Sequence, residues 1–415
     1  MIDRIAILGG SSVYIPEFFL SIVSHNVNVK EVVLQGRTEK KLQLVAAFCQ
    51  RLLDRSGFPA KVIATAEVEE AVEGASYVLN HVRIGGMKAR LRDEKLPPKY
   101  GMIGDETLGA GGIANALRTL PVVFDFAERI ETINPDALIM NVTNPVSVCV
   151  EALTRYTSLK VLGVCDLPGT YVRKVARLLR HACDDMTIDY IGLNHMGWIQ
   201  DIKADGRSLM SKVLERLEKQ DEEGFDYELI ELFRMVPTRT VGLFFHQDEL
   251  LKKQRTCGRF RAEVLHEAEK QILKLYEDEH LAEVPDLTRA RNAIWYEETI
   301  VPLIAAFESK KEKEFILCVR NDGAIRDLPD AASVEVPVRI SKGAFAPRKV
   351  GSSPRFLKGI FLAVKESDRL VIEAVRHKSY EYALQALTIH PLVPSLGTAK
   401  KYLDRVIKEE KIELY

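Results

Sequence analysis

The chain opens with a short isoleucine-rich run, Ile2–Leu8, which ends on Gly9-Gly10-Ser11-Ser12 and passes into an amphipathic helical stretch from Pro16 to about His25. A mostly apolar strand, a tight glycine turn and a helix in immediate succession leave few arrangements. The strand must be covered on both faces, and the helix must fold back over it. The alternation then repeats. Lys30–Gln35 reads as a second strand and Glu39–Arg55 as a long helix. Further apolar β-rich runs fall at Val62–Thr65, Ser76–Arg83, Ala137–Val142, Lys160–Val164 and Met186–Leu193, with helical patterns between most of them.

This pattern predicts an α/β fold: a Rossmann-like, doubly wound, mostly parallel sheet that begins as a dinucleotide-binding unit. Near residue 197 the organisation changes. Trp198–Lys203 followed by Asp205-Gly206 is a hairpin signal, and Arg207 to Ser309 is mostly helical, with a polar interruption at Lys219–Gly224. Strands return at Glu314–Val319 and Val334–Ile340, and helices at Pro354–His390 and Thr398–Glu410. The expected division is a dinucleotide-binding domain over 1–196 and a C-terminal mixed α+β substrate domain over 197–415, packed tightly together as in the lactate/malate dehydrogenase architecture. No repeat or Pro/Ser-rich linker separates them.

Composition narrows the partners. With 58 Lys+Arg against 59 Asp+Glu over 415 residues, the balance argues against a chain built to coat nucleic acid or an acidic membrane. No apolar run has the roughly 18–20 residues needed to cross a bilayer. Six cysteines without a CxxC pair do not form a disulfide framework. A cytoplasmic globular protein is the expectation.

Several residues point to chemistry. The Gly9-Gly10-Ser11-Ser12 turn sits where backbone amides and a helix N-terminus approach a pyrophosphate. At the end of the second strand, where NAD-selective proteins carry an acidic residue, the chain has Gly36-Arg37, which suits a 2′-phosphate; both NAD and NADP stay open. Asn141-Val142-Thr143-Asn144-Pro145 ends a further strand. Val164-Cys165-Asp166 ends the next and Gly192-Leu193-Asn194-His195 the one after, so a thiolate and an imidazole at neighbouring strand ends could share a soft divalent metal. A glycine-rich loop, Tyr100–Gly112, carries Glu106 and is read as an active-site mouth. Arg83, Lys88, Arg90 and Arg92 precede it as a basic cluster suited to an anionic substrate.

Together these residues resemble glycoside hydrolase family 4, the NAD- and metal-dependent 6-phospho-glycosidases. The anchors, in order, are Ile5–Ser12, Val82-Arg-Ile-Gly-Gly, Pro98–Gly112, Asn141–Pro145, Cys165-Asp166, Gly192–Trp198, Arg261-Ala262 and Asn321-Asp-Gly-Ala-Ile325. The resemblance implies cleavage of an anionic hexoside, a 6-phospho-glucoside foremost, by oxidation at C3, elimination, water addition and re-reduction. Such enzymes depart from the two-carboxylate scheme of most glycosidases. It further implies that Cys165 and His195 hold a divalent metal (Mn2+ foremost), that Asp166 is the general acid, that Glu106 assists the base, and that Arg90, Asn144 and Arg261 bind substrate. A small-molecule glycoside is the expected partner, with a homodimer or homotetramer as the assembly. The chain departs from the family where a tyrosine base is expected: Pro237-Thr238-Arg239-Thr240 places Thr240 there, and His246 is the nearest substitute in sequence. Alternatives are an NAD(P)-dependent dehydrogenase of a sugar or 2-hydroxy acid, a glycosidase acting on a hexuronide or sulfonated sugar, and a nucleotide-binding protein that has lost catalysis.

Overall fold

The computed structural model describes residues 1–219, 224–291 and 293–415, so residues 220–223 of the polar interruption lie outside it. Six parallel strands form the first half: β1 (Ile2–Leu8), β2 (Val29–Gln35), β3 (Lys61–Thr65), β4 (Tyr77–Asn80), β5 (Leu138–Asn141) and β6 (Lys160–Gly163). Their order is β3-β2-β1-β4-β5-β6, that of a doubly wound dinucleotide-binding fold. Side chains alternate across the sheet as the pleat requires. Ile5 and Ile7 enter a core beneath α1 (Ile15–Ser24) and α2 (Glu39–Arg55), while Ala6 and Leu8 enter the opposite core with α3 (Val68–Val72) and α5 (Gly109–Ile133). Between these two helices runs α4 (Gly86–Lys95), and α6 (Val146–Tyr156) and α7 (Asp166–Leu179) follow β5 and β6.

The first turn needs its glycines. Gly9 has φ +90°, and a Cβ there would lie 2.4 Å from the His81 carbonyl oxygen; one on Gly10 would lie 2.6 Å from the Leu34 Cβ. The turn is thus wedged between the carboxyl ends of β2 and β4, at the switch point where such sheets bind ligands.

The second half continues the same sheet. β7 (Thr187–Leu193), β8 (Met196–Ala204), β9 (Arg207–Ser208), β10 (Val236–Pro237), β11 (Lys313–Arg320), β12 (Ser333–Ser341) and β13 (Ala344–Pro347) are all antiparallel to their partners. Beyond β6 the order runs β11-β12-β7-β8-β10. The expectation that the strands ending in Cys165 and His195 are neighbours is therefore corrected. The β11–β12 hairpin, far later in the chain, inserts between β6 and β7. Each seam is a single pair, Gly163 with Cys318 and Glu335 with Gly192. Both seams use glycine because there is no room for a Cβ: one on Gly163 would meet Val146 Cγ1 at 2.5 Å, and one on Gly192 would meet the Gly197 Cα at 2.5 Å.

The C-terminal helices lie over the first half. The stretch expected as one helix over 354–390 is two, Arg355–His377 and Tyr380–Ile389, broken at Lys378 with φ +50° and restarted by Ser379, whose side chain accepts from the Tyr382 N–H. Arg355–His377 packs against α5 and α6. Its buried Lys365 meets Glu151 at 2.6 Å and Asp368 at 2.8 Å, tying that helix to α6. Among the described residues no helix is long and apolar enough to cross a membrane.

Candidate active site

A cavity of about 530 Å³ opens at the switch point. Gly9, Ser11 and Ser12 line it, and it runs past Gly36, Arg37 and Thr38 in one direction and towards Arg83, Asn144 and Arg291 in the other. Arg37 is exposed and makes no ion pair among the described residues. The carboxylates on the cavity wall are already engaged, Glu269 by Lys41 and Asp125 by Arg129.

At the inner end, Glu106 is buried and bridged by two arginines, Arg83 and Arg90, the latter at 3.0 Å. Asn144 Nδ2 approaches its Oε1, the oxygen that Arg90 also holds, at 3.5 Å. Burial pushes the Glu106 carboxyl up, but Arg83 and Arg90 outweigh it and hold the group well below the usual carboxylate range. Arg90 is shared with Glu94 at 2.7 Å, while Arg92 turns away to Glu410. The basic cluster is therefore divided: Arg83 lines the crevice, Arg90 is held by Glu94 and Glu106, and Arg92 serves packing.

The glycine-rich loop is close-packed. A Cβ on Gly104 would lie 1.8 Å from the Glu94 carbonyl oxygen, and one on Gly111 2.2 Å from that of Asp105. Asp105 Oδ1 accepts from the backbone N–H of Thr107 and Leu108 at 2.8 and 2.9 Å, which fixes the entry to α5 and with it Glu106.

Cys165 immediately precedes α7, and its thiol lies 3.9 Å from Asp166 Oδ1. His195 occupies the two-residue turn between β7 and β8, with φ +63°. Their strands are not neighbours, since β11 and β12 lie between β6 and β7. The turn is shaped by Gly197, where a Cβ would collide with the Tyr190 hydroxyl at 1.6 Å. Beneath it lies Glu335, wholly buried, accepting from Asn194 Nδ2 at 2.9 Å and from the Tyr190 hydroxyl at 2.5 Å.

The residues present fit a divalent metal. His195 Nδ1 is buried with no hydrogen-bond partner, and burial holds the imidazole below its ordinary pKa, which leaves the lone pair free. Cys165 supplies a soft sulfur. Among the described residues no group of three or more His, Cys, Asp and Glu could hold an ion, so an ion held by Cys165 and His195 would need ligands from outside the chain.

Thr240 joins this cluster in an unexpected way: its hydroxyl donates to the His195 carbonyl at 2.6 Å. His246 does not join it. Its Nε2 lies 2.8 Å from Asp226 Oδ2, at the N-terminus of the helix Tyr227–Phe233. Arg261 is exposed and donates to the Ala290 carbonyl at 2.6 Å, within the electrostatic reach of Arg90 and Arg239. Sequence reasoning missed Arg291, Arg239 and Glu335. For Arg291 the available signal was weak: an arginine four residues before Trp295, at a spacing that allows a stacked cation.

A Rossmann-like sheet with a dinucleotide cleft at its switch point, and with Cys165 and His195 just beyond two of its strands, defines the class. The Family 4 glycosyl hydrolase model matches residues 4–181, and the Family 4 glycosyl hydrolase C-terminal domain matches 190–393. The chain is 32% identical, over 99% of its length and 97% of the relative's, to a "Probable 6-phospho-beta-glucosidase" of Bacillus subtilis. The 6-phospho-beta-glucosidase of Thermotoga maritima, solved with manganese, NAD+ and glucose-6-phosphate, superposes with a TM-score of 0.92 at 31% identity and full coverage of both chains. A 6-phospho-alpha-glucosidase from gut microorganisms, solved with NAD and Mn2+, gives 0.89 at 26% identity, again with full coverage of both. This chain belongs to glycosyl hydrolase family 4. A malate dehydrogenase of Cryptosporidium parvum, at 15% identity and a TM-score of 0.54 over 91% of this chain and all of its own, shares the fold alone.

Proposed function

We propose that the protein is a 6-phospho-glucosidase that needs a nicotinamide dinucleotide and a divalent metal. The observations that carry this reading are the unpartnered His195 Nδ1 and the Cys165 thiol 3.9 Å from Asp166, in a fold whose Arg83–Glu106–Arg90 cluster meets the inner end of the dinucleotide cleft. A simple dehydrogenase has no use for that pair.

When bound, the nicotinamide would exchange hydride with sugar C3, and the metal would withdraw charge from the C3 oxygen. Cys165 and His195 would hold the metal, and substrate oxygens would fill open positions. Gly9–Ser12 takes the pyrophosphate at the N-terminus of α1. Arg90, Asn144 and Arg261 bind and orient the anionic sugar. Asp166, next to the sulfur, is placed to hand a proton to the leaving oxygen. Thr240 is not the C2 base, since an alkyl alcohol is a poor proton acceptor and its O–H is already committed to the His195 carbonyl. Two groups remain for that proton: His246, oriented by Asp226, and a water held at Glu106. A cytoplasmic homo-oligomer belongs to this reading, and native mass measurement tests the assembly.

The test uses enzyme stripped of cofactor and metal. A 6-phospho-glucoside should be cleaved only after both NAD(P) and Mn2+ are restored. Cleavage by the stripped enzyme would end this reading.

A further inference from the structure

Arg291 follows the short helical turn Asp286–Ala290 and enters the wall of the dinucleotide cavity. Its guanidinium lies 4.9 Å from the Trp295 ring centroid and 5.4 Å from that of Tyr14, so two aromatic faces fix its plane. Among the described residues it has no ion pair and no side-chain hydrogen bond. The charges around it make this arrangement costly. Arg83 and Arg90 are like-charged neighbours, Glu106 is already bridged by both, and Glu17, a second carboxylate within electrostatic reach, makes no ion pair with it among the described residues. Burial and those two arginines lower its pKa to about 10, which still leaves it cationic at neutral pH. The Tyr14 hydroxyl, on the same wall, is buried without a hydrogen-bond partner. A half-buried cation and an orphaned hydroxyl on one cavity wall lack an acceptor that the protein itself does not supply.

We infer that Arg291, with the Tyr14 hydroxyl beside it, binds a phosphoryl group in the cavity. This rests on the proposed function, under which two phosphoryl groups come within reach: the cofactor pyrophosphate, held across the cavity at Gly9–Ser12, and the 6-phosphate of the sugar, near Arg83 and Asn144. A planar guanidinium held by stacking meets a phosphate with two parallel N–H donors, which Lys cannot do.

The experiment titrates full-length wild type, R291Q and R291K with NAD, and then, with NAD and Mn2+ present, with glucose 6-phosphate and with glucose. R291Q should weaken one phosphoryl ligand on the order of 10- to 100-fold, with R291K recovering only part of the loss. Weakened NAD identifies the pyrophosphate as the occupant. Weakened glucose 6-phosphate with unchanged glucose and NAD identifies the sugar phosphate. The melting midpoint of ligand-free R291Q should equal or exceed that of wild type, because like-charge repulsion is relieved. Unchanged affinity for both ligands, or a lower ligand-free midpoint with unchanged affinities, overturns the inference and leaves Arg291 as packing. In that case the proposed function still stands. If wild type itself binds neither NAD nor glucose 6-phosphate, both fall.

Discussion

The Thr240 hydroxyl donates a 2.6 Å hydrogen bond to the backbone carbonyl of His195. It thereby fixes the turn that presents His195 Nδ1, at the position where relatives of this chain are expected to carry a catalytic tyrosine. Under the proposed function, a side chain that would act on the substrate is replaced by one that fixes the backbone of the His195 turn. T240V should therefore weaken Mn2+ binding and lower stability by about 1 kcal/mol, the worth of one hydrogen bond, and T240S should restore both. With saturating metal, kcat should change by less than tenfold. A loss of a hundredfold or more at saturating Mn2+ would mean that Thr240 takes part in proton transfer after all.

His246 is one of the two candidates for the C2 proton, and Asp226 at 2.8 Å orients its ring. H246Q should lower cleavage by roughly 10²–10⁴ while C3 oxidation, seen as nicotinamide absorbance in a single turnover, continues. Unaltered cleavage in H246Q would transfer the role to a water at Glu106.

Arg37 stands exposed and unpaired at the end of β2, where an acidic residue would select NAD. NADP should bind more tightly than NAD, and R37A should cost NADP about 1.5–3 kcal/mol while leaving NAD nearly unchanged. Titration showing equal or better affinity for NAD would remove the preference and align the chain with the NAD-bound relatives.

His390 is buried, and its Nδ1 accepts from the Leu392 N–H at 3.1 Å. Burial lowers its pKa to about 4. Because the folded state disfavours the protonated ring, the unfolded chain takes up a proton first as pH falls. The stability from neutral His390 is present above about pH 6.5 and is lost progressively towards pH 4, up to about 3 kcal/mol. Denaturant midpoints for H390Q should flatten over that window relative to wild type. Parallel curves for the two proteins would refute the assignment.

Much of this was legible in the chain itself. Helix Glu39–Arg55 and strand β2 follow directly from apolar periodicity, and Gly9-Gly10 from the room a dinucleotide turn lacks. The order of strands beyond β6 was not. Nothing local in Lys313–Ser341 says that its hairpin inserts between β6 and β7, since pairing across single glycine seams is decided by packing and not by chain order. For the same reason Arg83 could be placed at the crevice by its nearness to the glycine-rich loop, whereas Arg291 and Glu335 arrive from distant segments with ordinary local surroundings. The break at Lys378 escaped notice because a lysine with φ +50° carries no sequence mark of a helix end.

The most direct measurement concerns the C2 hydrogen of the sugar. With NAD(P) and Mn2+ present, cleavage of a 6-phospho-glucoside in D2O should give glucose 6-phosphate carrying deuterium at C2, because elimination removes that proton and water addition replaces it. Substrate deuterated at C2 should lose its label to ordinary water. Complete cleavage with C2 unexchanged would contradict oxidation and elimination, and would require direct displacement at the anomeric carbon instead.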